Sequence, residues 1–155
     1  AQNAGKRAIS LNIKSKEGHE ILKRLVATAD VLVENYRGGT LDRLGLGYDA
    51  LSAVNPQLIY CSLTGFGHTG PKRSDPAYDI VIQAFSGIMA ANGESDAPPL
   101  RVGPPMIDYG TGAQAALAVS SNPSKDARAL QGHLHVFQSA ISSGALTWNS
   151  LTHKL

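Results

Sequence analysis

Apolar runs and amphipathic patterns alternate along the first part of the chain. Residues 7–13 alternate apolar and polar side chains and include β-branched residues, which predicts a strand. Residues 16–29 place apolar side chains on one face at helical spacing, and Ser15 suits the N-cap of that helix. Residues 30–34 and 58–63 contain short continuous apolar runs, which are typical of strands buried on both faces.

Two short helices are predicted between these buried strands, over 40–46 and 48–54, and Pro56 ends the second. Strands that alternate with helices predict a parallel sheet covered by helices, so we expect an α/β, Rossmann-like fold. Ligands bind such sheets beyond the carboxyl ends of the strands. Those ends are here residues 35–37 and 64–67.

Glycine and proline residues divide the second half of the chain. Residues 92–105 carry four prolines, which predicts an extended or turning segment. The other predicted elements are a Gly/Pro-rich loop over 65–75, a helix over 78–91, a helix over 111–121, a strand over 133–137 and a final helix from Ser139.

Composition narrows the classes of function. Hydrophobic residues make up 43% of the chain and charged residues 17%, as in ordinary globular domains. The net charge is +2 without a dense basic run, so nucleic-acid binding is not predicted. No stretch reaches the roughly 20 apolar residues that span a bilayer, so no membrane association is predicted. Cys61 is the single cysteine and lies in an apolar run, which predicts a buried structural thiol and favours the cytoplasm.

None of three familiar kinds of site, for a dinucleotide, a metal or a serine nucleophile, is predicted. Residues 65–70 fit G-x-G-x-x-G, but a dinucleotide site needs a helix to begin there, and residues 71–76 are poor helix formers. His133 and His135 share one face of a predicted strand without an evident third ligand, so no metal site is predicted. No G-x-S-x-G nucleophile elbow occurs. We expect no metal and no tightly bound cofactor.

Asp108 is the carboxylate with the most unusual surroundings. It follows an apolar Pro-Pro-Met-Ile run and precedes Tyr-Gly-Thr-Gly, where a helix is predicted to begin. A helix N-cap explains this position and is worth about 1 kcal/mol. A nucleophile also explains it, because the helix dipole favours the ionised carboxylate and the glycines permit close approach of a substrate. The residues alone leave both interpretations open.

Spaced motifs follow one another along most of the chain. They are K-R-A-I-S-L-N-I-K at 6–14, A-D-V-L-V-E-N-Y at 29–36, L-D-R-L-G-L-G-Y at 41–48, N-P-Q-L-I-Y at 55–60, G-F-G-H-T-G-P at 65–71, Y-D at 78–79, Q-A-F-S-G at 83–87, and then Asp108. This set resembles the family III CoA transferases, the CaiB/BaiF group. The resemblance covers roughly residues 5 to 120 and keeps the family's order.

The resemblance implies both an architecture and a reaction. Members combine a Rossmann-like large domain with a small domain and form interlocked homodimers. Residues 1–155 would be a partial large domain, without the family's first strand and loop and without its small domain. Asp108 matches the aspartate that attacks an acyl-CoA thioester, forms a mixed anhydride and then becomes an aspartyl-CoA thioester. The implied partners are therefore acyl-CoA and a free carboxylic acid.

The resemblance also implies a CoA-binding set, carried over position by position. Arg43 matches a basic residue near the CoA phosphates, and Tyr78 lies in the segment near the thioester. The complete implied set is Leu11, Lys14, Asn35, Tyr36, Arg43 and Tyr78.

Two alternatives remain beside CoA transfer. The related α-methylacyl-CoA racemases resemble the same pattern, but they carry Gly-His-Asp where this chain has Ala77-Tyr78-Asp79. Racemisation or epimerisation needs two bases that exchange a proton with the substrate, and this chain lacks the histidine that is one of them. CoA transfer is therefore favoured. The other alternative is an inactive CoA-binding fragment. Residues 122–138 depart from the family pattern, so their packing is not predicted.

Overall fold

A computed structural model describes residues 3–94 and 96–121 and the backbone of 134–137. Within these residues a sheet contains β1 (Val31–Glu34), β2 (Ile59–Thr64) and β3 (Leu134–Phe137), in the order β1-β2-β3. Both strand pairs are parallel. The predicted α/β fold with a parallel sheet is therefore confirmed.

The central strand is more deeply buried than β1. Residues 59–62 of β2 are all buried, as expected for a strand covered on both faces. Cys61 is fully buried, and burial raises the pKa of its thiol, with a smaller contribution from Glu34. The prediction of a buried structural thiol is confirmed.

Helices cover and connect the strands. Ser15 caps the first helix, because its hydroxyl accepts a hydrogen bond from the amide of Gly18 at 3.0 Å. The described helices are α1 (Lys16–Val26), α2 (Thr40–Arg43), α3 (Tyr48–Ser52), α4 (Asp79–Phe85), α5 (Ile88–Ala91) and α6 (Met106–Ser120). No helix among the described residues is both long and apolar enough to cross a membrane.

The core lies between the sheet and the first three helices. Its buried members come from every one of these elements or the turns beside them: Val26, Leu41, Leu46, Leu51, Leu58 and Tyr60. The amide of Asn55 joins the end of α1 to this core by donating to the carbonyls of Val26 at 3.0 Å and Ala29 at 2.9 Å. These two hydrogen bonds tie the end of α1 and the turn after it to the segment before β2.

The prediction of a strand over 7–13 is wrong. The segment is irregular and ends in a turn, and Ile9 is 68% exposed. An alternating pattern makes a strand possible, but a strand forms only where a neighbour pairs with its backbone groups. No strand in the described part of the chain pairs with this segment.

Several helix boundaries differ from prediction. The helices predicted over 16–29, 40–46 and 48–54 end earlier, at Val26, Arg43 and Ser52. The helix predicted over 78–91 is divided into α4 and α5, because Gly87 adopts a left-handed conformation with φ of 81°. The helix predicted from residue 111 begins earlier, at Met106. The predicted loop over 65–75 and the irregular segment over 92–105 are confirmed in their described residues, while the helix predicted from Ser139 lies outside the described residues.

Candidate active site

A cavity of about 320 Å³ opens beyond the carboxyl ends of β1 and β2. This is the edge of the sheet at which the strand order predicts a ligand. Its lining comes from the turn after β1, the end of β2 with its following loop, the segment just before α4, and the start of α6. The lining residues are Asn35, Tyr36, Arg37, Gly38, Leu63, Thr64, Gly65, Phe66, Arg73, Asp75, Ala77, Tyr78, Asp108 and Thr111.

The turn after β1 is held by Glu34, the last residue of that strand. One carboxylate oxygen of Glu34 accepts a hydrogen bond from the hydroxyl of Ser62 on β2. The other accepts from the backbone amide of Tyr36 at 2.8 Å. Because one side chain joins the second strand to the turn, it fixes the direction in which Asn35 and Tyr36 enter the cavity.

The loop after β2 is built by close packing rather than by a helix. Residues 71–74 form turns and the next helix begins only at Asp79, so the geometry of a dinucleotide site is absent from this described segment. Phe66 packs edge-to-face against Phe85, with ring centroids 5.2 Å apart. The ammonium of Lys72 lies 5.2 Å from the ring centroid of Phe85 and 5.8 Å from that of Phe66.

Asp108 enters the cavity from the first turn of α6. Pro105 occupies the N-cap position and Asp108 is the third residue of the helix, so the N-cap interpretation of Asp108 is wrong. Partial burial raises the pKa of the Asp108 carboxyl, and the nearby Asp79 carboxylate raises it further. The helix start, which favours the ionised form, therefore does not offset these two effects.

The first turn of α6 receives its hydrogen bonds from a distant residue. The carboxylate of Asp79, at the start of α4, accepts from the backbone amide of Ile107 at 2.8 Å and from that of Asp108 at 3.2 Å. Such amides have no acceptor within their own helix, so Asp79 provides what an N-cap side chain usually provides. The Y-D motif at 78–79 contains Asp79, but the sequence alone assigned this residue no role.

The cavity brings together four of the seven residues that the resemblance singled out: Asn35, Tyr36, Tyr78 and Asp108. Tyr78 is 76% exposed. The other three, Leu11, Lys14 and Arg43, do not line it.

The three remaining positions lie on the surface around the first helices. Lys14 is exposed, and its backbone amide donates to the side chain of Asn12 at 3.1 Å. Arg43 is exposed in α2 and donates to the hydroxyl of Thr40 at 3.1 Å. Leu11 is half-buried. These positions could contact only a ligand that extends beyond the cavity.

Two cationic residues of the cavity were not among the predicted site residues, although Arg37 belongs to the strand end over 35–37 where a ligand was expected. Arg37 follows β1 closely, and Arg73 is in the loop after β2. The backbone carbonyl of Arg73 lies 2.7 Å from where a side chain at Gly38 would begin, so the two loops touch. The position of Arg37 at a strand end was a usable signal, whereas Arg73 comes close only through this contact between loops.

No cluster of three or more candidate metal ligands occurs in the part of the chain that the structure describes. The pair of histidines on the predicted strand over 133–137 includes His133, which lies outside the described residues, as does the side chain of His135.

Comparison with known proteins identifies the family. Residues 1–150 match CoA-transferase family III. The chain belongs to this family. An acetyl-CoA:oxalate CoA-transferase of Acetobacter aceti is 52% identical over 101 residues, which are 65% of this chain and 26% of that protein. A succinate–glutarate CoA-transferase of Agrobacterium fabrum is 43% identical over 121 residues, covering 78% of this chain and 30% of that protein.

A solved structure shows the same fold. This family III chain matches a CaiB/BaiF family protein from Brucella suis with a TM-score of 0.72 and 49% identity, over 76% of this chain and 31% of that one. The prediction of the CaiB/BaiF family from spaced motifs is therefore confirmed. The chain spans between a quarter and a third of the length of these relatives.

Proposed function

We propose that the protein transfers CoA from an acyl-CoA to a free carboxylic acid, with Asp108 as the nucleophile. The observation that supports this most directly is the position of Asp108. It is a carboxylate at the carboxyl ends of parallel strands, in a cavity shared with Asn35, Tyr36 and Tyr78. The relatives named above are CoA transferases that act on oxalate, succinate or glutarate.

The proposed reaction divides one difficult exchange into steps through covalent intermediates. The Asp108 carboxylate attacks the thioester carbonyl and expels CoA thiolate, which leaves a mixed anhydride. The thiolate then attacks the Asp108 carbonyl and releases the donor acid, which leaves an aspartyl-CoA thioester. The acceptor carboxylate attacks this thioester, expels thiolate and forms a second anhydride. Attack of thiolate on the acceptor's carbonyl releases the new acyl-CoA and restores Asp108.

We further propose how acyl-CoA lies on the chain. Asn35, Tyr36 and Tyr78 would contact the part near the thioester, because they share the cavity with Asp108. Leu11, Lys14 and Arg43 would contact the distant part, since they lie outside the cavity. The guanidinium of Arg43 suits a phosphate, to which arginine can donate two hydrogen bonds.

An adduct on Asp108 tests the proposed reaction. The full-length enzyme is incubated with a panel of acyl-CoA donors and with oxalate, succinate or glutarate as acceptor, quenched in acid and digested. Mass spectrometry is expected to find the peptide that contains Asp108 heavier by CoA less one water. Asp108→Asn should give no adduct. An adduct on another residue, or exchange of α-hydrogen for deuterium without acyl transfer, would contradict the proposal and the latter would favour racemisation.

Arg43→Ala is expected to raise KM for acyl-CoA about tenfold with little change in kcat, because a contact to a non-reacting part of the substrate contributes mainly uniform binding. Steady-state kinetics with acyl-pantetheine, which lacks the nucleotide phosphates, supplies the matched comparison. KM for acyl-pantetheine should be the same in the variant and the unaltered enzyme. An equal loss with both substrates would place Arg43 elsewhere.

We also propose that residues 1–155 form part of a large domain within an interlocked, cytoplasmic homodimer. The proposal that further protein packs on α6 is supported by the apolar side chains that are exposed along this helix. Met106 is 44% exposed and Leu117 is 61% exposed. Helices that are apolar on more than one face are usually buried on more than one face.

A further inference from the structure

We propose that Asp79 is a positioning residue for the nucleophile, and that Asp79 and Gln83 together fix where α6 places Asp108. This inference rests on the proposed function, since Asp108 must be the nucleophile for its placement to affect transfer. Asp79 itself is absent from the cavity lining. It acts on Asp108 through the backbone.

The contact joins two segments that are far apart in sequence. The carboxylate of Asp79 accepts from the amides of Ile107 and Asp108, which lie 28 and 29 residues further along the chain. Its other oxygen accepts from the side-chain amide of Gln83, one turn later in α4. A single carboxylate therefore determines where α6 begins and how its first turn is oriented.

Gln83 holds the Asp79 carboxylate by a hydrogen bond to the oxygen that does not accept from α6. It is fully buried, although buried glutamine is uncommon, and its side-chain oxygen accepts from the backbone amide of Val102 at 2.9 Å. Asp79 and Gln83 thus connect α4 to two points of the segment that leads to the nucleophile. Asp79 is half-buried and Gln83 is fully buried, so breaking a hydrogen bond of Gln83 would leave a buried polar group unpaired.

Each hydrogen bond of Asp79 and Gln83 has a fixed donor and acceptor. Replacing one carboxylate oxygen of Asp79 by an amide group therefore disturbs the whole set. Asparagine at position 79 can still accept from α6, but its amide group then faces the amide group of Gln83. Rotating Gln83 relieves this clash only by presenting a donor to the Val102 amide. Glutamate at position 83 would solve both problems, because its carboxylate accepts from the asparagine amide group and from the Val102 amide. The swapped pair keeps every hydrogen bond and the net charge.

Two variants of the full-length enzyme test the inference. Asp79→Asn is expected to lower kcat about 10–100-fold, as small misplacements of reacting groups do, with KM for acyl-CoA changed less than about twofold. The double variant Asp79→Asn/Gln83→Glu should recover kcat to within about fivefold of the unaltered enzyme, because positioning depends on the hydrogen bonds. A single variant with unaltered kcat, or a double variant as slow as the single one although it folds, would overturn the inference.

The pH profile separates positioning from a general loss of stability. Asp79→Asn removes a like charge near Asp108, so the acid limb of the kcat/KM profile should move to lower pH. In the double variant the negative charge is at position 83, one turn of α4 further from Asp108 than position 79. Its acid limb should therefore lie between those of the unaltered enzyme and of Asp79→Asn. An unchanged limb in both variants would count against the inference. The other titratable or charged groups that line the cavity with Asp108 are Tyr36, Arg37, Arg73, Asp75 and Tyr78.

Backbone amide exchange tests the contact without a variant and without turnover. In the unaltered enzyme the amides of Ile107 and Asp108 should exchange at least about tenfold more slowly than first-turn amides that lack a partner. The amides of Asp49 and Ala50 in α3 supply the comparison, because the N-cap residue of that helix, Gly47, makes no side-chain cap. Fast exchange at both positions would overturn the inference. If Asp108→Asn kept full transfer activity, the proposed function would fail, while the exchange result would still decide whether Asp79 holds α6.

Discussion

Asp108→Asn is expected to lower kcat/KM for CoA transfer by at least about a thousandfold, because an amide cannot carry the reaction through an anhydride and a thioester. The substitution keeps the size of the side chain and leaves the Asp79 contact to the backbone of α6 intact. Affinity for CoA should therefore change little. Steady-state transfer between a cognate donor and acceptor measures the first effect, and calorimetric titration with CoA measures the second.

Asp49→Asn is the matched control for Asp108→Asn. Asp49 is also an exposed aspartate in the first turn of a helix, α3, but it lies outside the cavity. Both variants lose one negative charge near a helix N-terminus, worth about 0.3–1 kcal/mol of stability. Only Asp108→Asn should lose transfer. Activity of the Asp108 variant within about tenfold of the unaltered enzyme would remove Asp108 from covalent chemistry.

The sheet could be predicted from sequence because its signals are local. Residues 30–34 and 58–63 are continuous apolar runs separated by helical patterns, and few folds accommodate that order. The location of the cavity followed from the same order, since the carboxyl ends of parallel strands lie at one edge. The sequence alone placed Asn35 and Tyr36 at this edge, because they directly follow the first apolar run.

The details of the surroundings of Asp108 depend on contacts that no local pattern records. Asp108 occupies the first turn of α6 and leaves capping to Asp79, which lies 29 residues earlier in the chain. A helix start is predicted from the residues beside it, so a cap supplied by another helix shifts the predicted start. The irregular segment over 7–13 has a comparable cause, because alternation cannot show whether a neighbouring strand is available to pair.

The family resemblance favoured one of the two interpretations that the residues near Asp108 left open. Those residues are compatible with either a cap or a nucleophile, and the structure excludes the N-cap position itself. The spaced motifs favoured the nucleophile over the cap because they indicated the family, and the match over residues 1–150 confirms that family. The geometry adds that four of the residues implied by the motifs share one cavity, although they come from three separate parts of the chain.

Gly65→Val is expected to destabilise the protein by about 3 kcal/mol and to reduce transfer, because the new side chain has no room. A Cβ atom at Gly65 would lie 2.1 Å from the Cβ of Ala77 and 3.4 Å from the terminal methyl of Ile82. Either the end of β2 or the segment before α4 must therefore move. Both line the cavity, so the distance between Tyr78 and Asp108 should change with them. Chemical denaturation measures the free energy of unfolding, and steady-state kinetics measures transfer.

Gly103→Val is the control for Gly65→Val, because a Cβ atom at Gly103 meets no atom within 4 Å. Its free energy of unfolding should stay within about 0.5 kcal/mol of the unaltered protein. Ala77→Gly added to Gly65→Val supplies a second comparison, since it removes the methyl group that the new side chain strikes. The double variant should regain part of the lost stability and transfer. If both Gly65→Val and Gly103→Val were neutral, close packing between β2 and the segment before α4 would not shape this cavity.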